Sequence, residues 1–383
     1  MSAPALAVEG SLELSIRVED GLFSAVSIVN RRPLSIASAF TGQSAEAAVG
    51  LCARLFSICR RAQGLASAWA VEKASGFAAS KAQVHARELL LLAETVLEHA
   101  GRSLLVWPDY VGQPVRLLEL KTLRGALADV HLALYPDGDW MRPGGGRLAP
   151  DHPQLTRRLA QAAQLVRDHV FGGDVPQDRS AWDAWTDRDG LTGALLARSI
   201  EEMGLRNFGA SAIEVLPEIP DDVLNCRMSR DDGSFIAAPT WEGSPRITGP
   251  FARHADHPLV AALGQGLSAR LAARLLELAL SLRRMQELVH GIEADQGSQL
   301  PPASGIGLAV VEAARGRLAH RLELENGKVT RYQILAPTEW NFHPQGALSQ
   351  GLLGQPAGDD PLLRVRHLIA ALDPCVACKI EVA

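Results

Sequence analysis

The sequence lacks an excess of basic charge. Lys and Arg number 38 against 43 Asp and Glu, for a formal net charge of -5 at pH 7. A surface that neutralises a phosphate backbone tilts the balance the other way, so nucleic acid is not an expected partner. Long apolar runs are also absent. None reaches the roughly 18 residues that a membrane-spanning helix requires, and no basic-then-apolar leader is evident. Cysteine is scarce, with five in 383 residues, an odd number not laid out as a secreted disulfide framework. The expected setting is a reducing cytoplasm, where thiols stay free to bind metal. What is present is ordinary for a globular chain: 47% apolar and 21% charged residues. Length alone allows one to three domains. Internal repeats and low-complexity tracts are absent.

The scarce thiols concentrate where they matter. Asp373-Pro374-Cys375-Val376-Ala377-Cys378 places two sulfurs within a turn of each other near the chain end. Pro374 biases Asp373 toward an extended conformation. A thioredoxin-type pair would open a helix, and no helix has room to follow. A metal site is the other functional reading, but two thiolates do not close a structural zinc site, which needs four ligands. A pair of inert buried thiols stays open as well.

Residues 8–30 alternate as a strand pair turning at Glu19-Asp20-Gly21, with Leu12, Leu14, Ile16 and Val18 on one face. A long helix is expected from Ser44, with Ala48, Leu51, Cys52, Leu55, Ile58, Cys59 and Ala62 on its apolar side. On one helix, Cys52 and Cys59 would stand about 10 Å apart along the axis. At most one could then share an ion with the chain end. A helix follows over 80–99, broken at Trp107-Pro108-Asp109. Residues 136–153 read as a loop, including Pro143-Gly144-Gly145-Gly146, and as a candidate mobile segment. Helices are expected near 154–170 and 190–204, and 215–258 reads as loop-rich around an isolated Cys226. Over 258–290 the leucine stripe marks a packing face, with Arg270, Arg274, Glu277 and Arg284 elsewhere around the axis. Asn326-Gly327 between two alternating runs marks a hairpin, and a helix near 360–371 leads into the cysteine pair.

Five stretches in order resemble the large subunit of nickel-iron hydrogenases. Glu9-Gly10-Ser11-Leu12 is similar to that family's Glu-Gly-His opening, and Arg54 to Cys59 to its Arg-Ile-Cys-Gly-Val-Cys. Glu312 to Gly316 resembles Glu-Ala-Pro-Arg-Gly, and Pro337 to Asn341 resembles Pro-Thr/Ser-Thr-Trp-Asn. Asp373 to Cys378 matches Asp-Pro-Cys-x-x-Cys without change. The implied fold is mainly α with small antiparallel β (α+β), a single hydrogenase-large-subunit-like domain over 1–383, reduced in size. The family holds nickel by four thiolates, two of which bridge to iron. The bridging positions correspond to Cys59 and Cys378, and the nickel-only positions to Phe56 and Cys375. A phenyl ring in place of a thiolate, expected to intrude on the nickel position, argues against nickel. Glu381 stands where the family has a histidine.

This combination resembles the HupK/HoxV-type accessory proteins. The resemblance implies a non-catalytic scaffold for an iron carrying cyanide and carbon monoxide, Fe(CN)2CO, bound transiently. Its metal ligands would be Cys59, Cys375 and Cys378, with Arg315, Pro337, Thr338 and Glu9 around the diatomic groups. Implied partners are a HypC-like iron-delivering chaperone with its HypD-like complex, and the hydrogenase large subunit as acceptor. Two other readings stay open: a divergent hydrogen-activating subunit, and a metal-free mimic of the large subunit that regulates it. Against the site reading, Cys59 could be a plain buried helix thiol, Arg315 a salt-bridged arginine and Thr338 a turn hydroxyl.

Overall fold

The computed structural model describes residues 10–31 and 34–383, so Glu9 lies outside the described residues. The alternation at the start becomes a hairpin, β1 (Ser11–Glu19) against β2 (Leu22–Asn30). Leu12, Leu14 and Ile16 are buried on one face, as a period of two requires. A last strand, β6 (Ala377–Val382), joins β1 in parallel, with Leu12 opposite Cys378. The two ends of the chain therefore share one sheet, ordered β2-β1-β6.

The single helix expected from Ser44 is two helices. Ser44 caps α1 (Ala45–Leu55), its hydroxyl accepting from Ala47 N at 3.2 Å. Phe56 leaves the helical region (φ -113°, ψ 80°), and the chain re-enters a helix only after Cys59, at the start of α2 (Arg60–Ala74). The apolar pattern runs through the gap in sequence, but Ile58, expected on the buried side, is 41% exposed. The pattern cannot reveal the break, because no local side chain caps α2. Its orphan amides are met from outside: Arg61 N and Ala62 N donate to the Glu94 carboxylate at 2.7 and 3.1 Å. Glu94 lies on α3 (Lys81–Gly101), which Ser80 caps.

Residues 258–290 also divide, at Gly264 and Gly266, into a short helix Pro258–Leu263 and α4 (Leu267–Val289). A Cβ on Gly266 would lie 2.4 Å from the Arg206 carbonyl, so the chain passes too close there for any other residue. The leucine stripe is buried as expected, but Arg270 and Arg274 are not on a solvated face; each is only 5% exposed. The glycine run at 144–146 is packed, not loose. Gly144 N donates to Glu72 at 2.8 Å, and Glu72 takes two hydrogen bonds from Arg87 in a fully buried ion pair. The 215–258 stretch holds short helices at Asp221–Ser229, Ser234–Ala237 and Pro250–Arg253, and Cys226 sits exposed on the first.

The second sheet is antiparallel: β3 (Gly305–Ala313), β4 (Gly316–Glu325) and β5 (Lys328–Leu335), turning at Asn326-Gly327. α2 lies directly on it. A Cβ on Gly307 would be 1.8 Å from the Ala70 carbonyl, and Ala62 and Ala66 pack against Val311, Ala313 and Leu318. Small residues on both surfaces allow that approach and fix the start of α2 beside the β3–β4 turn and α5 (Pro337–Asn341). The fold is thus mainly helical with two small sheets, one mixed and one antiparallel. Among the described residues no helix is long and apolar enough to cross a membrane.

Finally, α6 (Pro361–Leu372) ends at Asp373, which is left-handed (φ 55°, ψ 70°) rather than extended. Asp tolerates that region better than most residues, and ψ stays outside the α range that a following proline disfavours. The carboxylate is held there by Arg102 at 2.6 Å, with Arg315 and Arg274 at 3.6 and 3.8 Å.

Candidate metal centre

Three segments converge on one small cavity of about 20 Å³. The start of α2 brings Cys59, the β3–β4 turn brings Arg315, and the loop after α6 brings Cys375. Pro337 and Thr338, at the start of α5, close a further wall. The Thr338 hydroxyl oxygen lies 3.0 Å from the Cys375 sulfur. Asn341 Nδ2 donates to the Arg315 carbonyl at 3.2 Å, and Asn341 Oδ1 accepts from Thr248 N at 2.9 Å. These bonds fix the turn, and the Arg315 side chain then donates to Glu98 at 2.7 Å.

Cys375 and Arg315 also face outward. Beyond them opens a groove of about 960 Å³, whose wall includes Ile58, Asp373 and Cys378. The sequence-predicted residues Cys59, Cys375, Arg315, Pro337 and Thr338 therefore come together, while Cys378 lies on the groove side. Its thiol is 3.9 Å from the Val376 carbonyl, and its backbone is paired in β6. Among the described residues no three His, Cys, Asp or Glu side chains are grouped to ligate one ion. Phe56 is not among the residues lining the cavity. Its ring belongs to a core cluster with Phe40, Val49 and Cys52, against which Cys59 also packs. Cys52 is fully buried, its thiol directed at Gln63.

Sequence reasoning missed the polar wall. Gln63, one turn after Cys59, donates its amide to the Cys59 sulfur at 3.6 Å. Its own oxygen meets His320 Nε2 at 2.9 Å. Glu94 and Glu98, one turn apart on α3, also line the cavity. The available signal was a pair of like charges four apart on a helix rich in leucine.

Burial and mutual repulsion oppose ionisation of these thiols. Burial pushes the Cys59 thiol well above its ordinary pKa, and the neighbouring Cys375 and Glu94 push it further. Burial, then Cys375, raises Cys378 to about 11. Cys375 thus stands between two thiols that resist a second negative charge, and a bound cation reverses that repulsion. Burial raises Glu94 to about 7. Although burial opposes its charge, Arg315 is held charged by Asp373, Glu98 and Cys375. The same clustering brings Asp373 down to about 2.

The fold is that of the hydrogenase large subunits, at a similar size rather than the reduced one expected. The nickel-iron-selenium hydrogenase of D. vulgaris Hildenborough in its reduced state superposes with a TM-score of 0.69 at 17% identity, over 94% of each chain. A NAD+-reducing nickel-iron hydrogenase gives 0.66 at 16% identity, again over 94% of each chain. Residues 221–381 match the model of the nickel-dependent hydrogenase family. Full-length similarity is more specific. The hydrogenase expression/formation protein HupK of Rhizobium leguminosarum bv. viciae is 31% identical over 382 residues, covering 97% of this chain and 96% of that protein. HupK of Azotobacter vinelandii is 32% identical over 380 residues, covering 97% and 98%. HoxV of Cupriavidus necator is 28% identical, covering 93% and 92%. The chain belongs to the HupK/HoxV family of hydrogenase expression/formation proteins.

Proposed function

We propose that this chain acts in hydrogenase maturation as a non-catalytic scaffold that holds an Fe(CN)2CO unit and passes it to a hydrogenase large subunit. The observation that carries the reading is the meeting of Cys59 and Cys375, from opposite ends of the chain, in one cavity with Arg315 and Thr338. Soft thiolates suit an iron that carries strong-field diatomic ligands. The relatives' names point to hydrogenase formation rather than turnover.

The cavity has room for about one water-sized body, so the cargo is held where cavity and groove meet at Cys375. In this reading Cys59 and Cys375 ligate from the inner side and Cys378 from the groove. Each thiol releases a proton as its sulfur binds iron. Arg315 and the Thr338 hydroxyl donate to cyanide nitrogens, which need donors when taken out of water. Pro337 presents an apolar surface to the carbonyl. The groove supplies the route for a HypC-like donor with its HypD-like partner, and for the acceptor.

A transfer experiment tests the passing step. The full chain, loaded with ⁵⁷Fe by co-expression with iron-assembly factors, is mixed anaerobically with an iron-free hydrogenase large subunit. Appearance of the label in the re-isolated acceptor, with loss from this chain, is expected. Label that stays on this chain, with an acceptor still able to receive iron from other sources, contradicts the carrier role.

A further inference from the structure

A second cavity of about 20 Å³ shares Arg315 with the first and is walled also by Arg270, Arg274 and Asp373. Arg270 and Arg274 also border a third, of about 30 Å³, that is otherwise largely apolar, with Trp107, Leu196 and Leu271. Each has room for one or two bodies the size of water.

The charges around these spaces do not balance. Arg102, Arg274 and Arg315 share Asp373, and Arg315 also takes Glu98. Arg270 is left over. It is 5% exposed and rests on the Phe251 ring, with its guanidinium carbon 4.8 Å from the centroid. Among the described residues no carboxylate pairs with it, and its Nε has no hydrogen-bond partner. Arg274 reaches one carbonyl, Ala371 O at 3.0 Å, and stands 3.8 Å from Asp373. Three guanidiniums thus line the second cavity against the single carboxylate of Asp373. Nearby acids do not make up the difference: Glu277 and Glu312 are engaged by Arg253 and Arg317, and His254 adds to the pairing at Glu277. His99, also close, is uncharged at neutral pH.

A buried guanidinium without a counter-charge is strongly unfavourable, and arginine does not escape by losing its proton near neutral pH. Two arginines one helical turn apart, both lining the same two small spaces, make an arrangement suited to a bound anion. We propose that these two cavities, which share Arg270 and Arg274 as walls, form a binding site for a small monoanion, of the size of a halide or formate, held by those two arginines. Because Asp373 leads directly into Pro374-Cys375, an anion that draws Arg274 away from Asp373 acts on the loop carrying the Cys375 thiol.

The inference does not depend on iron, so the metal-free full chain tests it. Crystals soaked in bromide are read by anomalous scattering. A bromide peak between the Arg270 and Arg274 guanidiniums is expected in the wild type and absent in Arg270→Met. In solution at fixed ionic strength, replacing gluconate with bromide or formate raises the wild-type melting temperature and leaves Arg270→Met unmoved. Bromide found only elsewhere, or equal shifts in both proteins, overturns the site. Should Arg270→Met fail to fold, the wild-type bromide map decides alone.

Discussion

Asp373 ends α6 with its carboxylate among Arg102, Arg274 and Arg315, and those guanidiniums bring its pKa down to about 2 from the ordinary 3.8. The folded state therefore refuses a proton that the unfolded chain accepts. The stabilisation is complete above about pH 4 and disappears as pH falls toward 2, and it is worth on the order of 2 kcal/mol. Asp373→Asn is expected to lose that amount at pH 7 and to flatten stability between pH 4 and 2, read by urea unfolding at stepped pH. His99 acts in a different window. Its ring is buried with neither nitrogen hydrogen-bonded among the described residues, and burial lowers its pKa to about 3. The unfolded chain takes up a proton below about 6.5 that the folded ring resists, so stability falls as pH is lowered from 6.5 toward 3. His99→Phe is expected to flatten that slope in the same unfolding series, and an unchanged slope would contradict the assignment. At this scale the motif residues were legible: Cys59, Arg315, Pro337, Thr338 and Cys375 do meet. Gln63, Glu94 and Glu98 were not, because a polar side chain on a helix looks the same in sequence whether it faces water or a cavity.

Elements were legible where their signals are local. Ser44 and Ser80 cap the helices they were expected to open, and Asn326-Gly327 turns a hairpin. The failures come from distant partners. The break between α1 and α2 depends on Glu94, more than thirty residues away, supplying the missing cap. The glycine run at 144–146 is ordered by Glu72 and Arg87 on two other helices. That buried pair yields a sharp test. Removing one partner strands a charge in the core, so Arg87→Met is expected to cost about 3–5 kcal/mol. Arg283, in an exposed pair with Glu287, is expected to tolerate alanine with an unchanged denaturation midpoint. Equal midpoints for the two variants would contradict the account of the 143–146 segment.

Across the whole molecule, β1 and β6 join the first and last described strands, and β6 follows within two residues of Cys375. Sheet pairing at the chain ends is thus part of how Cys375 reaches Cys59, a contact that no local pattern encodes. Native-state hydrogen exchange is expected to show β1 and β6 opening together, and weakening β6 with Ile380→Gly should lower protection in β1. The central claim is that sulfurs from the two ends of the chain hold one iron unit. Infrared spectroscopy on anaerobically purified chain, co-expressed with iron-assembly factors, tests it most directly. Cyanide and carbonyl stretching bands are predicted for the wild type and Cys226→Ser, and their loss for Cys59→Ser and Cys375→Ser. A wild type without bands, or bands that survive in both cysteine variants, would contradict it.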